Sequence, residues 1–313
     1  AAEFSEELDN LGVRVSNLEK KSDNVKWGGE LKYQYKGDKV AKEDRTNDST
    51  YEFRLEPKVF IGNTDWTANA RIRYYSNAAS DNNGGSTNNG NSDKSDTTVD
   101  RIFVQGPLFG STAKLGKLPT YSDDALGSGM IIDDQISGAE FNWKLGKEKA
   151  TYVKAAVGRY DFDSAANIGR STAYDGTGDY TSLEIGHAAK EKGLSAVAGY
   201  YSLRNIDRAT KTNTDGNTSA AFYDNLKANS DNDNIWAAGL GYKFSKNVNL
   251  YGIYAKSNLD SEAGYKGDSQ NKAYDVTLSY KGADSTKAGT WGIYTAYRYL
   301  GQYASIAPTY DAA

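Results

Sequence analysis

The chain has no cysteine, and only one histidine, one methionine and four prolines among its 313 residues. Without cysteine there is no disulfide, no thiolate nucleophile and no thiolate metal site, and a lone His187 cannot build a histidine metal cluster. No glycine-rich, phosphate-cradling loop follows a strand and opens a helix. Long hydrophobic runs are missing too: no segment approaches the ~20 apolar residues that a membrane-spanning helix needs. Mean hydropathy is −0.71 and the pI near 5.3, and a net charge of −4 argues against a nucleic-acid partner. Although Asp and Glu are plentiful, nothing picks out one pair for acid–base chemistry. Asp231-Asn232-Asp233-Asn234 lacks the ligand spacing of a calcium loop and reads as solvated. His187 reads as a rim or surface residue. The chain is therefore expected to be no enzyme and to need no metal or cofactor.

What is present is tyrosine (24 residues), glycine (32 residues) and a strict alternation of apolar with polar residues. Trp27, Gly29, Leu31, Tyr33 and Tyr35 alternate with Lys26, Glu30, Lys32 and Gln34. Tyr51 to Ile61, Trp66 to Tyr74, Ala139 to Leu145, Trp236 to Phe244 and Tyr274 to Tyr280 repeat the device. A period of two marks a sheet with one greasy and one wet face. Further strands are expected near 99–105, 111–117, 150–160, 180–188, 194–203, 248–256 and 290–300. Pro57 interrupts one strand and predicts an edge or a bulge there.

Connections alternate in length. Turns at 62–65, 106–110, 146–149 and 245–247 are short, whereas polar links at 37–50, 77–97, 161–179 and 205–233 are long and rich in Asp, Asn, Gly, Ser and Thr. Compact soluble domains rarely carry such links, but outer-membrane barrels pair short periplasmic turns with long external loops. The expected fold is all-β: a transmembrane antiparallel β-barrel over 25–313, with Tyr and Trp at the membrane interfaces. Thirteen strands can be counted by residue 300, and because single-chain barrels normally have an even number, either strands are hidden in the pattern or the last three are absent; the second is expected, which makes the intact barrel sixteen-stranded.

Residues 1–24 follow another rule. Phe4, Leu8, Leu11, Val15, Leu18, Ser22 and Val25 are spaced alternately by four and three, a heptad seam whose core positions are Leu8, Leu11, Val15 and Leu18. This predicts a short coiled-coil helix stabilised by association, or an amphipathic helix lying on its own chain.

Two charged groups stand out. The link Tyr121–Gln135 carries Asp123, Asp124, Asp133 and Asp134 around Leu126, Met130, Ile131 and Ile132, an apolar content that exposed loops lack. It is expected to pack on the inner wall and narrow the lumen. Arg54, Arg71, Arg73 and Arg101 fall on the polar phase of neighbouring strands, with Lys32, Lys58 and Lys114 nearby. Like charges on adjacent strands repel, so such a basic wall calls for wide water or opposing carboxylates, and the acidic loop would provide the carboxylates. The alternative is scattered surface ion pairs, each worth ~0–1 kcal/mol.

The run from Leu8 through Tyr35, a heptad seam leading straight into Val25-Lys26-Trp27-Gly28-Gly29-Glu30-Leu31-Lys32-Tyr33, resembles the OmpM-type tethering porins of diderm Firmicutes. In those, an S-layer-homology domain precedes a coiled-coil stalk and a trimeric porin barrel; this chain lacks the first domain. The resemblance implies a homotrimer in the outer membrane, among lipid and lipopolysaccharide, with its stalk in the periplasm. It also implies a grip on peptidoglycan through a domain not in this chain. On this reading small hydrophilic solutes and ions pass by general diffusion. Rivals are a sugar- or anion-selective channel using Phe60, Phe103 and Tyr75, a structural tether with an incidental pore, and a stalked β-rich surface adhesin, soluble without detergent.

Overall fold

The computed structural model describes residues 24–38, 46–80, 96–162, 174–208, 232–259, 269–284, 286–301 and 303–310. The heptad positions Leu8, Leu11, Val15 and Leu18, and with them the expected stalk, lie outside the described residues. Among the described residues every regular element is a β-strand, and no helix is long and apolar enough to cross a membrane.

The chain divides into two units, residues 1–107 and 108–313. The first holds β1 (Val25–Asp38), β2 (Thr46–Phe60), β3 (Thr67–Ser80) and β4 (Asp96–Leu108, which ends at the boundary), each paired antiparallel with the next. The second holds β5 (Ser111–Tyr121), β6 (Asp133–Leu145), β7 (Thr151–Asp161), β8 (Tyr174–Asp175), β9 (Thr177–His187), β10 (Gly193–Arg204) and β11 (Asp207–Arg208), followed by β12 (Asp233–Ser245), β13 (Val248–Ser257), β14 (Lys272–Lys281) and β15 (Gly292–Leu300). Its long strands form a meander in chain order, while the two-residue β8 and β11 pair only with each other. All thirteen long strands fall where the alternation predicts them.

Register follows from matching like faces across each pair. In the first hairpin Leu31 stands opposite Phe53 and Tyr33 opposite Tyr51, while Glu30 faces Arg54 and Lys32 faces Glu52. A one-residue slip would set apolar against charged side chains along the whole hairpin. Pro57 does not lie on an outer edge: β2 pairs on both sides, with Trp27 opposite Pro57 on one of them. On the β3 side the ladder skips Glu56 and Pro57 and resumes at Lys58 opposite Asn69 without a change of register. The missing N–H thus interrupts pairing locally instead of causing a bulge.

Short connections use local chemistry. Gly146 adopts φ +75°, and its carbonyl accepts from the Lys149 N–H at 3.2 Å. Between β12 and β13 the Ser245 hydroxyl accepts from the N–H groups of Asn247 and Val248, both at 3.2 Å.

The distribution of burial is inverted relative to a soluble sheet. In the second unit Leu183, Ile185, Trp236, Leu240, Val276 and Ile293 lie on the apolar phase, and all are exposed (Trp236 66%, Leu240 61%). On the opposite phase Tyr152, Tyr160, Tyr180 and Tyr201 are buried, together with Glu184 and Asp275, both at 0% exposure. The core of this unit therefore sits on the polar side of its strands, under the connection 122–132 and the segment 303–310.

Candidate functional site

In the first unit the polar phase carries an interlocked row of charges. Arg54 donates through Nε to Glu52 Oε1 at 2.7 Å, through Nη2 to Glu52 Oε2 at 3.1 Å, and through Nη1 to Glu30 Oε2 at 3.3 Å. Arg73 stands 3.8 Å from both Glu52 and Asp100. Arg71 clamps Asp100 through Nε at 2.9 Å and Nη2 at 2.5 Å, with both partners buried. A change of register between Arg71 and Ile72 creates this clamp. Arg101 is opposite Arg71 and Val99 is opposite Ile72, so Asp100 is the extra residue of a β-bulge and is aimed at the arginine. Bidentate arginine–carboxylate geometry holds the row rigidly.

Three arginines and three carboxylates thus alternate as Glu30, Arg54, Glu52, Arg73, Asp100 and Arg71. The carboxylates that these arginines meet are strand residues of their own unit, where the acidic connection was expected to supply them. Lys32 stands opposite Glu52 in the register, and Lys58 lies over the Phe60 ring at 5.7 Å. Lys114 belongs to the second unit, where its Nζ donates to Glu140 at 2.7 Å.

The connection after β5 is shorter than the expected Tyr121–Gln135. Asp133 and Asp134 are the first residues of β6, paired with Tyr121 and Thr120, so only Asp123 and Asp124 of the four acids lie in the loop itself. Strand pairing overrides the low β-propensity of aspartate at this boundary. Asp134 is buried and accepts from the Tyr160 hydroxyl at 2.7 Å; Asp133 is exposed.

Residues 122–132 fold against the polar phase of β7, β9, β10 and β12. Glu184 on β9 is the anchor. It accepts from the N–H groups of Asp123 (2.8 Å) and Asp124 (3.3 Å) and from the hydroxyls of Tyr152 (2.5 Å) and Tyr201 (2.6 Å). Lys154 Nζ lies 3.4 Å from Glu184 and donates to Asp124 and to the Tyr121 carbonyl, both at 2.6 Å. The Ser122 hydroxyl accepts from the Ile131 and Ile132 N–H groups and donates to Asp123 at 2.9 Å, closing the loop on itself. Leu126 reaches β12 above Gly239, where a Cβ would sit 2.6 Å from its Cδ1. The apolar residues that made this stretch unusual in sequence are all buried: Leu126, Met130, Ile131 and Ile132.

Asp123 is itself fully buried. One of its oxygens accepts from Ser122 and Ser128, while Oδ1 meets no donor. Burial, and next the charge of Glu184, push its carboxyl from an ordinary 3.8 up to about 7.

A second segment, not marked in the sequence, completes the packing. Residues 303–310 lie along the loop, with Ile132 and Ala307 in a parallel bridge. The N–H groups of Ile306 and Ala307 both donate to the Ile131 carbonyl, at 2.7 and 3.0 Å, and Asp133 N–H donates to the Ala307 carbonyl at 2.6 Å. Ser305 donates to the Met130 carbonyl at 2.8 Å, and Tyr310 donates to the Ser128 carbonyl and, at 2.8 Å, to Asp275. No local period in this stretch announces such contacts.

His187 is exposed at the end of β9 with its Nδ1 2.8 Å from the Thr151 hydroxyl, and among the described residues no group of acidic, histidine or cysteine side chains is placed to hold a metal.

No protein-family model and no curated protein matches the chain. Among solved structures it matches OprB of Pseudomonas putida with a TM-score of 0.55, over 92% of this chain and 78% of that one, at 13% identity. The chain has an OprB-like fold. It also matches OmpT of Vibrio cholerae, an outer membrane protein solved in a trimer form (TM-score 0.49, 15% identity, 88% of this chain and 77% of that one). A mutant of the Rh. blastica porin matches at TM-score 0.47 and 12% identity, over 88% and 84%. At 13% identity the likeness to OprB concerns the fold, and side-chain roles must be argued from this chain.

On this OprB-like frame the loop depends on Glu184. Glu184→Ala takes the acceptor from two buried hydroxyls and two loop N–H groups and removes one of the charges facing the buried Lys154, and should cost ~3–5 kcal/mol in denaturant unfolding. Glu184→Gln, which keeps an acceptor oxygen, should cost less. The pH response follows from Asp123. Its folded-state value lies above the unfolded one, so the folded protein holds the extra proton between about pH 4 and 7. Stability should therefore fall as pH rises through that window and level off above it. Asp123→Asn should remove this component, read as the difference in unfolding free energy between the two proteins across the window.

Proposed function

We propose that this chain is the channel-forming part of an outer-membrane porin through which small hydrophilic solutes and ions diffuse passively. The observation that carries the reading is the inverted sheet: an apolar phase left bare and a polar phase that holds the charges and the packed loop. A strand meander with such faces suits a bilayer outside and water inside, and the OprB-like fold supports the same reading. The long strands within residues 25–313 would belong to a closed barrel with an even number of strands, sixteen when intact. Three copies would associate in the outer membrane, with residues 1–24 as a coiled-coil stalk in the periplasm. A tethering role, with peptidoglycan held by another domain, rests on the resemblance of Leu8–Tyr35 alone.

In this account the barrel sieves by width, and fixed charge tunes which ions pass. The connection 122–132 narrows the lumen, with Asp124 and Asp133 facing water and Asp123 and Asp134 serving as struts. The basic wall is Arg54, Arg71, Arg73 and Arg101 with Lys32 and Lys58, partly neutralised by Glu30, Glu52 and Asp100; Lys114, tied to Glu140, adds to the lining of the second unit. Because a mutually neutralised row projects less field than a bare one, ion preference should be modest and set by whichever charge lacks its partner.

In planar bilayers the purified protein should open in triplet steps. Glu52→Gln, which leaves Arg54 and Arg73 less neutralised, should move the reversal potential in a salt gradient toward anions. Arg71→Ala with Arg73→Ala should move it toward cations. An unchanged reversal potential in both variants would remove these residues from the conducting path, and no conductance at all would remove the porin reading.

A further inference from the structure

The second unit's loop is more deeply covered than a lumen-lining loop should be. Of residues 122–132 only Asp124 and Gly127 are exposed; the rest are buried between the strand wall and the segment 303–310. That segment is asymmetric in turn. Tyr303 through Ala307 are buried against the loop, whereas Thr309 is exposed and Pro308 and Tyr310 are partly so.

Each end of this short stretch is pinned. The Thr309 N–H donates to the Gly129 carbonyl at 3.0 Å, and its hydroxyl donates to Asp133 at 3.0 Å. Gly129 is at φ +57°, and a Cβ there would strike Thr309 Oγ1, so the approach requires glycine. The Tyr310 ring is held by its hydroxyl on Ser128 and Asp275, and the Arg298 guanidinium carbon stacks on its face 3.8 Å from the ring centre. Asp275 is fully buried and also accepts from Tyr251 at 3.0 Å, which fixes the partner that fixes Tyr310.

We propose that residues 308–310, laid over the loop 122–132, form the surface that a permeating solute meets on this side of the lumen, with the loop as their buried scaffold. This rests on the porin reading above and refines it. The surface is the Thr309 side chain with the partly exposed Pro308 and Tyr310 rings, flanked by the carboxylates of Asp124 and Asp133 and by the Arg298 guanidinium on the Tyr310 face.

The absence of cysteine makes the test clean. Thr309→Cys and Ser305→Cys are introduced singly into the full chain, and single channels are exposed to a negatively charged methanethiosulfonate. The cysteine thiolate attacks the reagent's sulfenyl sulfur, a mixed disulfide to the charged alkylthio group forms, and the bond to the sulfonyl sulfur breaks with release of methanesulfinate. Modification of Thr309→Cys should lower conductance in up to three discrete steps per trimer, restored by dithiothreitol, while Ser305→Cys, buried and nearly isosteric with the native residue, should not respond. Modification at 309 that leaves the current unchanged, or equal reactivity at 305, would overturn the proposal and leave the porin reading intact. Unmodified protein that fails to conduct would overturn both.

Discussion

On the membrane reading proposed above, the rest of the structure depends on one constraint: a backbone in hydrocarbon must find every hydrogen-bond partner within the protein. The long, register-matched ladders meet it, from the fourteen-residue pairing of β1 with β2 to the meander of the second unit. Once strands are the only answer, the period of two follows, and with it the separation of an apolar phase from a polar one. Leu183, Leu240 and Val276 stand bare, which the proposed apolar medium accounts for. Glu184 and Lys154 can be buried because they face each other and the loop, and Asp275 because it faces Arg298, Tyr251 and Tyr310.

The polar side is consequently where the charges and the packed loop gather, and the two units build it differently. In the first, charges from adjacent strands pair across the ladder, and a single bulged residue, Asp100, converts a clash of arginines into a clamp. In the second, one carboxylate gathers donors from two strands and the loop, so the loop's path is set by hydrogen bonds and not by hydrophobic burial alone. A buried carboxylate with this many donors costs much to desolvate and more to lose, and so it defines one arrangement.

Much of this could be read from the residues. Alternation located the long strands, because register errors would expose apolar side chains on the wet face. Leu126, Met130, Ile131 and Ile132 marked the loop as packed. Glu30 and Glu52 share the polar phase with Arg54, so their pairing is within reach of the pattern, although the like charges on neighbouring strands point first to the acidic loop. Asp100 was not legible, because a bulge adds a residue without any periodic signal. The start of β6 was hidden by Asp133 and Asp134, which look like loop residues until pairing with Thr120 and Tyr121 claims them. The contacts of 303–310 span about 175 residues of sequence, as between Ser305 and Met130, and no local rule encodes them.

The central claim is that one face of these strands meets lipid and the other water. The most direct measurement scans β12 from Trp236 to Phe244 with single nitroxide labels in bilayers, comparing collision with oxygen, which concentrates in lipid, against a water-soluble nickel complex. The account predicts a period of two, with oxygen favoured at Trp236, Ala238, Leu240, Tyr242 and Phe244 and disfavoured at the residues between. Equal access of the nickel complex to both sets, or no alternation, would contradict it.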